Sequence, residues 1–283
     1  MIIIKLEGGL GNQMFQYALG RNLSLIHKTS LKIDSSYLEK ANQSQRSLRI
    51  NNFVMELEEA SDKEVASYNS PFQKVLNKLG LKSKKIIEKS SAFDPNILSQ
   101  NNGYFIGHWN NEKYFKANEN TIRNDFKLKR PLGKASQEVM KQIISLPNST
   151  SIHIRRGDYV SIKKISDKHG ILPISYYENG MIKIDEKFPK TTFFVFSDDI
   201  EWVKENFPKK YPIIFVSDTI IPDYEELILM SLCKHNIIAN STFSWWGAWL
   251  NSNPKKVVIS PQKWFTGTEN DKSDIIPLAW TKL

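Results

Sequence analysis

Short apolar runs recur through the second half of the chain, at residues 151–154, 192–196, 213–216, 236–239 and 256–259, separated by helical stretches, most plainly 224–234 and 242–250. Runs of this length suit strands buried on both faces. Strands that alternate with helices build a parallel sheet covered on both sides, and few other folds accept the pattern. The opening of the chain repeats the theme. Ile2-Ile3-Ile4 reads as a buried strand, Gly8-Gly9-Leu10-Gly11 as a turn, and residues 12–27 as a helix with Phe15, Leu19, Leu23 and Ile26 on one face. Leu31-Lys32-Ile33-Asp34 reads as the second strand. Residues 35–100 are less regular, with one helix expected near 71–79, and Gly103-Tyr104-Phe105-Ile106-Gly107 is a further strand before an aromatic-rich loop. The weakest point is Ser145-Leu146-Pro147-Asn148-Ser149. The expected architecture is α/β, two Rossmann-like domains facing across a cleft, residues 1–147 and 148–283.

Composition narrows the function classes. Apolar residues make up 40% of the 283 positions, enough for a core, so disorder is excluded. No stretch approaches the ~20 apolar residues of a membrane span, and Met1-Ile2-Ile3-Ile4-Lys5-Leu6 has no basic region of a secretory signal. The single cysteine, Cys233, makes neither an internal disulfide nor a cysteine metal site and fits a reducing, cytoplasmic compartment. A net charge of +9 favours acidic partners. The lysines are scattered, however, with no long basic run among aromatics, so nucleic acid is not expected. Solvated lysines explain most of the charge, and weak peripheral contact with an anionic membrane face is the next reading.

Four segments carry candidate chemistry. Gly9-Leu10-Gly11-Asn12-Gln13-Met14 approximates a dinucleotide fingerprint, with Asp34 where a ribose-binding acid would sit, but Met14 stands at the third glycine position. A tight turn without ligand fits it too, as does a loop reaching another substrate through Asn12 and Gln13. Ser151-Ile152-His153-Ile154-Arg155-Arg156-Gly157-Asp158-Tyr159 sets His153, Arg155 and Arg156 at the C-terminal end of a strand, the edge where ligands bind in open parallel sheets. Two guanidiniums beside one carboxylate, Asp158, leave charge that a pyrophosphate would neutralise. In Phe196-Ser197-Asp198-Asp199 the acids are equally well a helix cap or a substrate contact, and the absence of Asp-x-Asp gives no indication of a bridging metal. Asn240-Ser241-Thr242-Phe243-Ser244-Trp245-Trp246-Gly247-Ala248-Trp249 opens a helix whose first amides form an anion site, with its tryptophans expected mainly in the core.

These segments together resemble the α-1,2-fucosyltransferase family, the bacterial relatives of the blood-group H enzymes. Gly8 to Ala18 is similar to its opening motif, His153-Ile154-Arg155-Arg156-Gly157-Asp158-Tyr159 to its donor motif, and residues 196–199 and 240–249 to two later motifs. Gly107-His108-Trp109-Asn110-Asn111-Glu112-Lys113-Tyr114-Phe115 resembles a further segment, with His108 in place of an expected aromatic. The matches run in order over residues 8–249. The resemblance implies a GT-B fold without an essential metal or other cofactor. It implies transfer of L-fucose, with inversion, from GDP-β-L-fucose to the 2-hydroxyl of a galactose-terminated oligosaccharide or lipid-linked glycan in O-antigen synthesis.

By that resemblance Arg155 holds the pyrophosphate and stabilises departing GDP, while His153, Arg156 and Asp158 shape its pocket. Ser241, Thr242 and Ser244 lie near the β-phosphate, and Asn12, Gln13, Asp198 and Phe243 join the donor set. Asp223 and Glu226 are candidates for the guanine edge, and His108, Trp109 and Glu112 for the acceptor. Asp158 is either the base or a group that orients the arginines. Two competing classes are an oxidoreductase built on the first glycine loop and a non-catalytic nucleotide-sugar binder.

Overall fold

A computed structural model describes residues 1–40, 47–68, 85–217, 220–267 and 274–283. The helix expected near 71–79 lies outside the described residues. The chain forms two compact units, Met1–Arg130 and Pro131–Leu283, each built on its own parallel sheet.

In the first unit, β1 (Ile2–Lys5), β2 (Leu31–Asp34), β3 (Lys85–Ile87) and β4 (Gly103–Ile106) lie in the order β2-β1-β4-β3, with Ile2 opposite both Leu31 and Gly103. The Ile2-Ile3-Ile4 run is fully buried, as a central strand covered on both faces requires. Helix Leu10–His27 ends at Lys28 in the left-handed conformation, whose amide returns to Ser24 O. This helix is buried over most of its surface rather than along one stripe, and Ile26, expected on the inner face, is 44% exposed. The reason is a second layer beyond it: Phe15 packs on Phe115, and Tyr17 on Phe126. The close helix–sheet approach falls at Gly20, where a Cβ would sit 2.7 Å from Leu31 Cδ1 and nearer still to Ile4. Met14, in the fingerprint position, is simply core.

The second unit holds β5 (Ser149–Ile154), β6 (Thr192–Ser197), β7 (Ile213–Phe215), β8 (His235–Ile237), β9 (Val258–Ser260) and β10 (Thr281–Lys282). They pair in parallel in the order β10-β9-β8-β5-β6-β7. Ile152, Ile154, Phe193, Val195, Ile237 and Ile259 build the core with Tyr177, Met181 and Ile184 from helix Ile174–Lys187. Trp245, Trp246 and Trp249 are buried, and Trp245 Nε1 donates to Ile275 O at 2.8 Å, so this cluster is core as composition suggests. The units divide at Arg130 and Pro131 rather than near 147. The cause is helix Lys134–Ser145, which packs on helix Asp223–Leu232, while Glu225 of the latter accepts from the Gly133 amide at 3.0 Å. A carboxylate at that helix N-terminus satisfies a donor the helix cannot satisfy itself.

Candidate active site

In the second sheet the chain runs from β5 to β6 on one side and from β8 to β9 on the other, so the β5–β8 junction is a topological switch point. The segments leaving β5, β6 and β8 carry the sequence-predicted donor residues. Tyr159 ties the β5 and β8 segments together, its hydroxyl donating to Asn240 O at 3.0 Å. The Asn240 side-chain amide is in turn buried and donates to His169 O at 2.7 Å.

Arg155 is the centre of the arrangement. Its two terminal nitrogens meet separate carboxylates, Asp158 Oδ1 at 2.6 Å and Asp198 Oδ2 at 2.8 Å. Arg156 diverges from it: Nε pairs with Asp199 at 3.1 Å, and the guanidinium lies 3.3 Å from the centre of the Trp202 ring. Two guanidiniums therefore face three carboxylates. The expectation that Asp158 stands alone against both is corrected, because β6 delivers Asp198 and Asp199 from across the sheet. Burial pushes the Arg155 pKa down, and Asp198 and Asp158 more than reverse it, leaving a permanent cation.

His153 is buried with its ring 5.4 Å from Phe243, and its Nδ1 has no partner among the described residues. Burial and the adjacent Arg155 charge lower its pKa to about 3, so it is neutral in any ordinary buffer. Ser241 caps helix Thr242–Leu250 with no side-chain capping bond, and Thr242 and Phe243 are half-buried at its first turn. Ser244 is buried, its hydroxyl donating back to Ser241 O at 3.2 Å across the helix start. Asp223 opens helix Asp223–Leu232, with Oδ1 2.9 Å from the Tyr224 amide. Glu226, one turn on, is half-buried and bonded to Ser217, whose hydroxyl accepts from the Ser197 amide at the end of β6. Burial raises the Glu226 pKa to about 8, with Asp223 and Asp198 adding to the rise.

The first unit's candidates read differently. Gln13 is fully buried. Its amide nitrogen donates to Gly8 O and Ser47 O at 3.0 and 2.9 Å, and its oxygen accepts from the Arg49 amide at 2.9 Å. It braces the glycine turn to the segment at residues 47–49, whereas Asn12 beside it is half-buried. Asp34 is also buried, bonded to Tyr104 Oη at 2.6 Å and to the Ser36 amide, so the acid that the oxidoreductase reading needs has no oxygen turned to a ribose. Trp109, an acceptor candidate, is 1% exposed, at φ +55°, between Phe105 and Tyr114. His108 and Glu112 are half-buried in the same loop, where Glu88 accepts from the amides of His108 and Trp109 at 2.7 and 3.0 Å.

Sequence reading missed Trp202, Ser217 and the pairing role of Asp199. Each acts across strands, and only the Asp199-x-x-Trp202 spacing, one helical turn, was there to be noticed.

The comparisons agree with this architecture. The family model described as glycosyl transferase family 11 matches residues 1–283. An alpha-1,2-colitosyltransferase of Escherichia coli is 35% identical over 296 residues, covering 100% of this chain and 99% of that protein. The O-antigen biosynthesis glycosyltransferase WbnK of Escherichia coli is 35% identical over 304 residues, covering 98% and 99%. A galactoside alpha-(1,2)-fucosyltransferase 1 of Saimiri boliviensis boliviensis is 26% identical over 145 residues, 48% of this chain and 40% of that one. The crystal structure of fucosyltransferase NodZ from Bradyrhizobium shares the fold at TM-score 0.51 and 11% identity, over 87% and 91% of the two chains. A mutant FUT1 of Arabidopsis thaliana in complex with GDP does so at TM-score 0.51 and 12% identity, over 95% and 72%. Among the described residues no helix is long and apolar enough to cross a membrane. With two parallel-sheet units of GT-B type and a match along its entire length, the chain belongs to glycosyl transferase family 11.

Proposed function

We propose that this glycosyltransferase moves a 6-deoxy-L-hexose, L-fucose first, from its GDP donor to the 2-hydroxyl of a terminal β-galactoside during bacterial O-antigen synthesis. The observation that carries the reading is Arg155, held at the end of β5 by two carboxylates, on a segment whose Tyr159 bonds Asn240 O just ahead of the helix start at Ser241 and Thr242. As the bond between the sugar C1 and the diphosphate oxygen breaks, negative charge grows on the departing GDP. A fixed guanidinium and helix amides act most strongly on charge that develops there. The acceptor oxygen enters C1 from the opposite face, which inverts the centre, and its proton passes to a base. Asp158 reads as an orienting group, since Oδ1 is engaged by Arg155 at 2.6 Å. The reaction as proposed needs no divalent ion.

The 35% identity to a colitosyltransferase favours a specific second donor. Colitose is fucose without its 3-hydroxyl. A site that hydrogen-bonds a substrate hydroxyl rejects the analogue lacking it by about 10⁴–10⁵-fold, whereas a site that only encloses it does not. Transfer from GDP-fucose and GDP-colitose to free and lipid-linked β-galactosides, in EDTA, tests both donors, with the product linkage read by NMR. A new α-1,2 bond from GDP-fucose supports the proposal, and a strong preference for GDP-colitose moves it to the second donor. GDP binding without turnover on either donor returns the chain to the binder class, and activity abolished by EDTA and restored by Mg²⁺ refutes metal independence.

A further inference from the structure

Asp198 does more than neutralise charge. Oδ2 pairs with one terminal nitrogen of Arg155 at 2.8 Å while Oδ1 accepts from the Arg156 backbone amide at 2.8 Å, so one carboxylate from β6 latches the loop that leaves β5. The approach depends on Gly157, where a Cβ would fall on Asp198 Oδ2. Asp158 holds the other terminal nitrogen of Arg155. An arginine has five N–H donors in a rigid fork, and two directions of this fork are taken by carboxylates before any ligand arrives. A phosphate reaching Arg155 shares it with Asp198, a negative charge it must sit beside.

We propose that Asp198 is a positioning residue that aims Arg155 at the leaving diphosphate and, as a resident competing anion, weakens ground-state donor binding while raising turnover. This rests on the donor-site reading above. A latch that fixes the guanidinium matters most when charge develops on the leaving oxygen, because small misplacements of a charged group are costly at that stage. The same carboxylate repels the diphosphate at every stage. The latch therefore shows in kcat and the repulsion in donor affinity.

The test compares wild type, Asp198→Asn and Asp199→Asn by GDP calorimetry and donor kinetics. Asp199→Asn is the charge control, since Asp199 engages Arg156 and not Arg155. Asp198→Asn is expected to bind GDP about two- to fivefold tighter, the span of an exposed charge pair, and to lose about tenfold or more in kcat. Weaker GDP binding, unchanged kcat, or equal tightening in both variants overturns the proposal. Wild type that does not bind GDP overturns the donor-site reading itself, which keeps the two failures apart. Should Asp198→Asn not fold, Gly157→Ala displaces the carboxylate from Arg155 with its charge kept. It is expected to lower kcat without raising donor KM, and a raised KM at unchanged kcat counts against the proposal.

Discussion

The two sheets of this chain both open with strand, polar turn and helix, yet their C-terminal edges are built from different chemistry. At the first, neutral amides close the turn region. Gln13 braces the glycine turn to Ser47 and Arg49, and Gln16 bridges the Glu7 amide and Gly107 O, both at 3.0 Å, between the ends of β1 and β4. At the second, charges hold charges: Arg155, Arg156, Asp158, Asp198 and Asp199 converge from β5 and β6. Gln13, with both N–H groups and its oxygen engaged by the backbone, has no capacity left for a ligand. A guanidinium held by two carboxylates keeps donors in hand and a fixed direction. On the proposed reading, the first edge serves stability and the second the chemistry.

The sharpest way to break that contrast is Arg155→Ala. Loss of one charge-stabilising donor of this kind costs about 10²–10³ in rate, ~2.7–4 kcal/mol, and the fold should survive. Turnover near wild type in a cooperatively melting variant would remove Arg155 from the chemistry. Gln13→Ala should behave in the opposite manner, since it strands the Arg49 amide and two carbonyls. Each buried orphan costs about 1–3 kcal/mol, and water entering the space should limit the total to about 2–3 kcal/mol. Urea melts read the loss, while the affinity of the second unit for GDP should not move. A Gln13→Ala protein of normal stability that no longer binds GDP would reverse the assignment.

Gly20→Ala asks whether the first helix lies on its sheet as described. The added methyl enters space held by Ile4 and Leu31, and overpacking of this type costs about 1–3 kcal/mol. A neutral or stabilising result would mean the helix stands farther from β1.

How much of this was legible follows from what each residue's role depends on. The strand at residues 192–196 is read from five buried positions in a row and emerges as Thr192–Ser197, because burial on both faces writes itself into a local run. Helix Thr242–Leu250 is bounded as read. By contrast β3, with only Ile86 and Ile87 as apolar residues, gives no such run. The site was legible as to edge but not as to bookkeeping. Arg155 and Asp158 are three residues apart and can be seen together, whereas Asp198 reaches Arg155 only through the β5–β6 pairing of Ile154 with Ser197. Gln13 and Trp109 look like polar and aromatic reach in a motif. The bonds of Gln13 depend on Ser47 and Arg49, and the burial of Trp109 on Phe105 and Tyr114, which no local spacing connects to them.

The smallest expected effect separates guanine contact from mere burial at Glu226. Its folded pKa of about 8 lies above the usual carboxylate value, so the folded chain binds a proton there that the unfolded chain has released. Its contribution to stability is full below the unfolded value and is lost as pH rises through about 8. Glu226→Gln, uncharged throughout, should therefore match wild type in melts near pH 4, already exceed it at pH 6, and exceed it most at pH 9. GDP adds a second arm. Guanine offers N1–H and its amino group, which the carboxylate accepts and the protonated acid accepts poorly. If Glu226 meets that edge, GDP affinity should climb as pH rises through the same range, with a proton released on binding, and the Gln variant should lose the climb. An affinity that is flat with pH in both proteins, alongside the stability difference, would leave Glu226 as a buried acid bonded to Ser217 and pass the guanine edge to Asp223 at the head of the same helix.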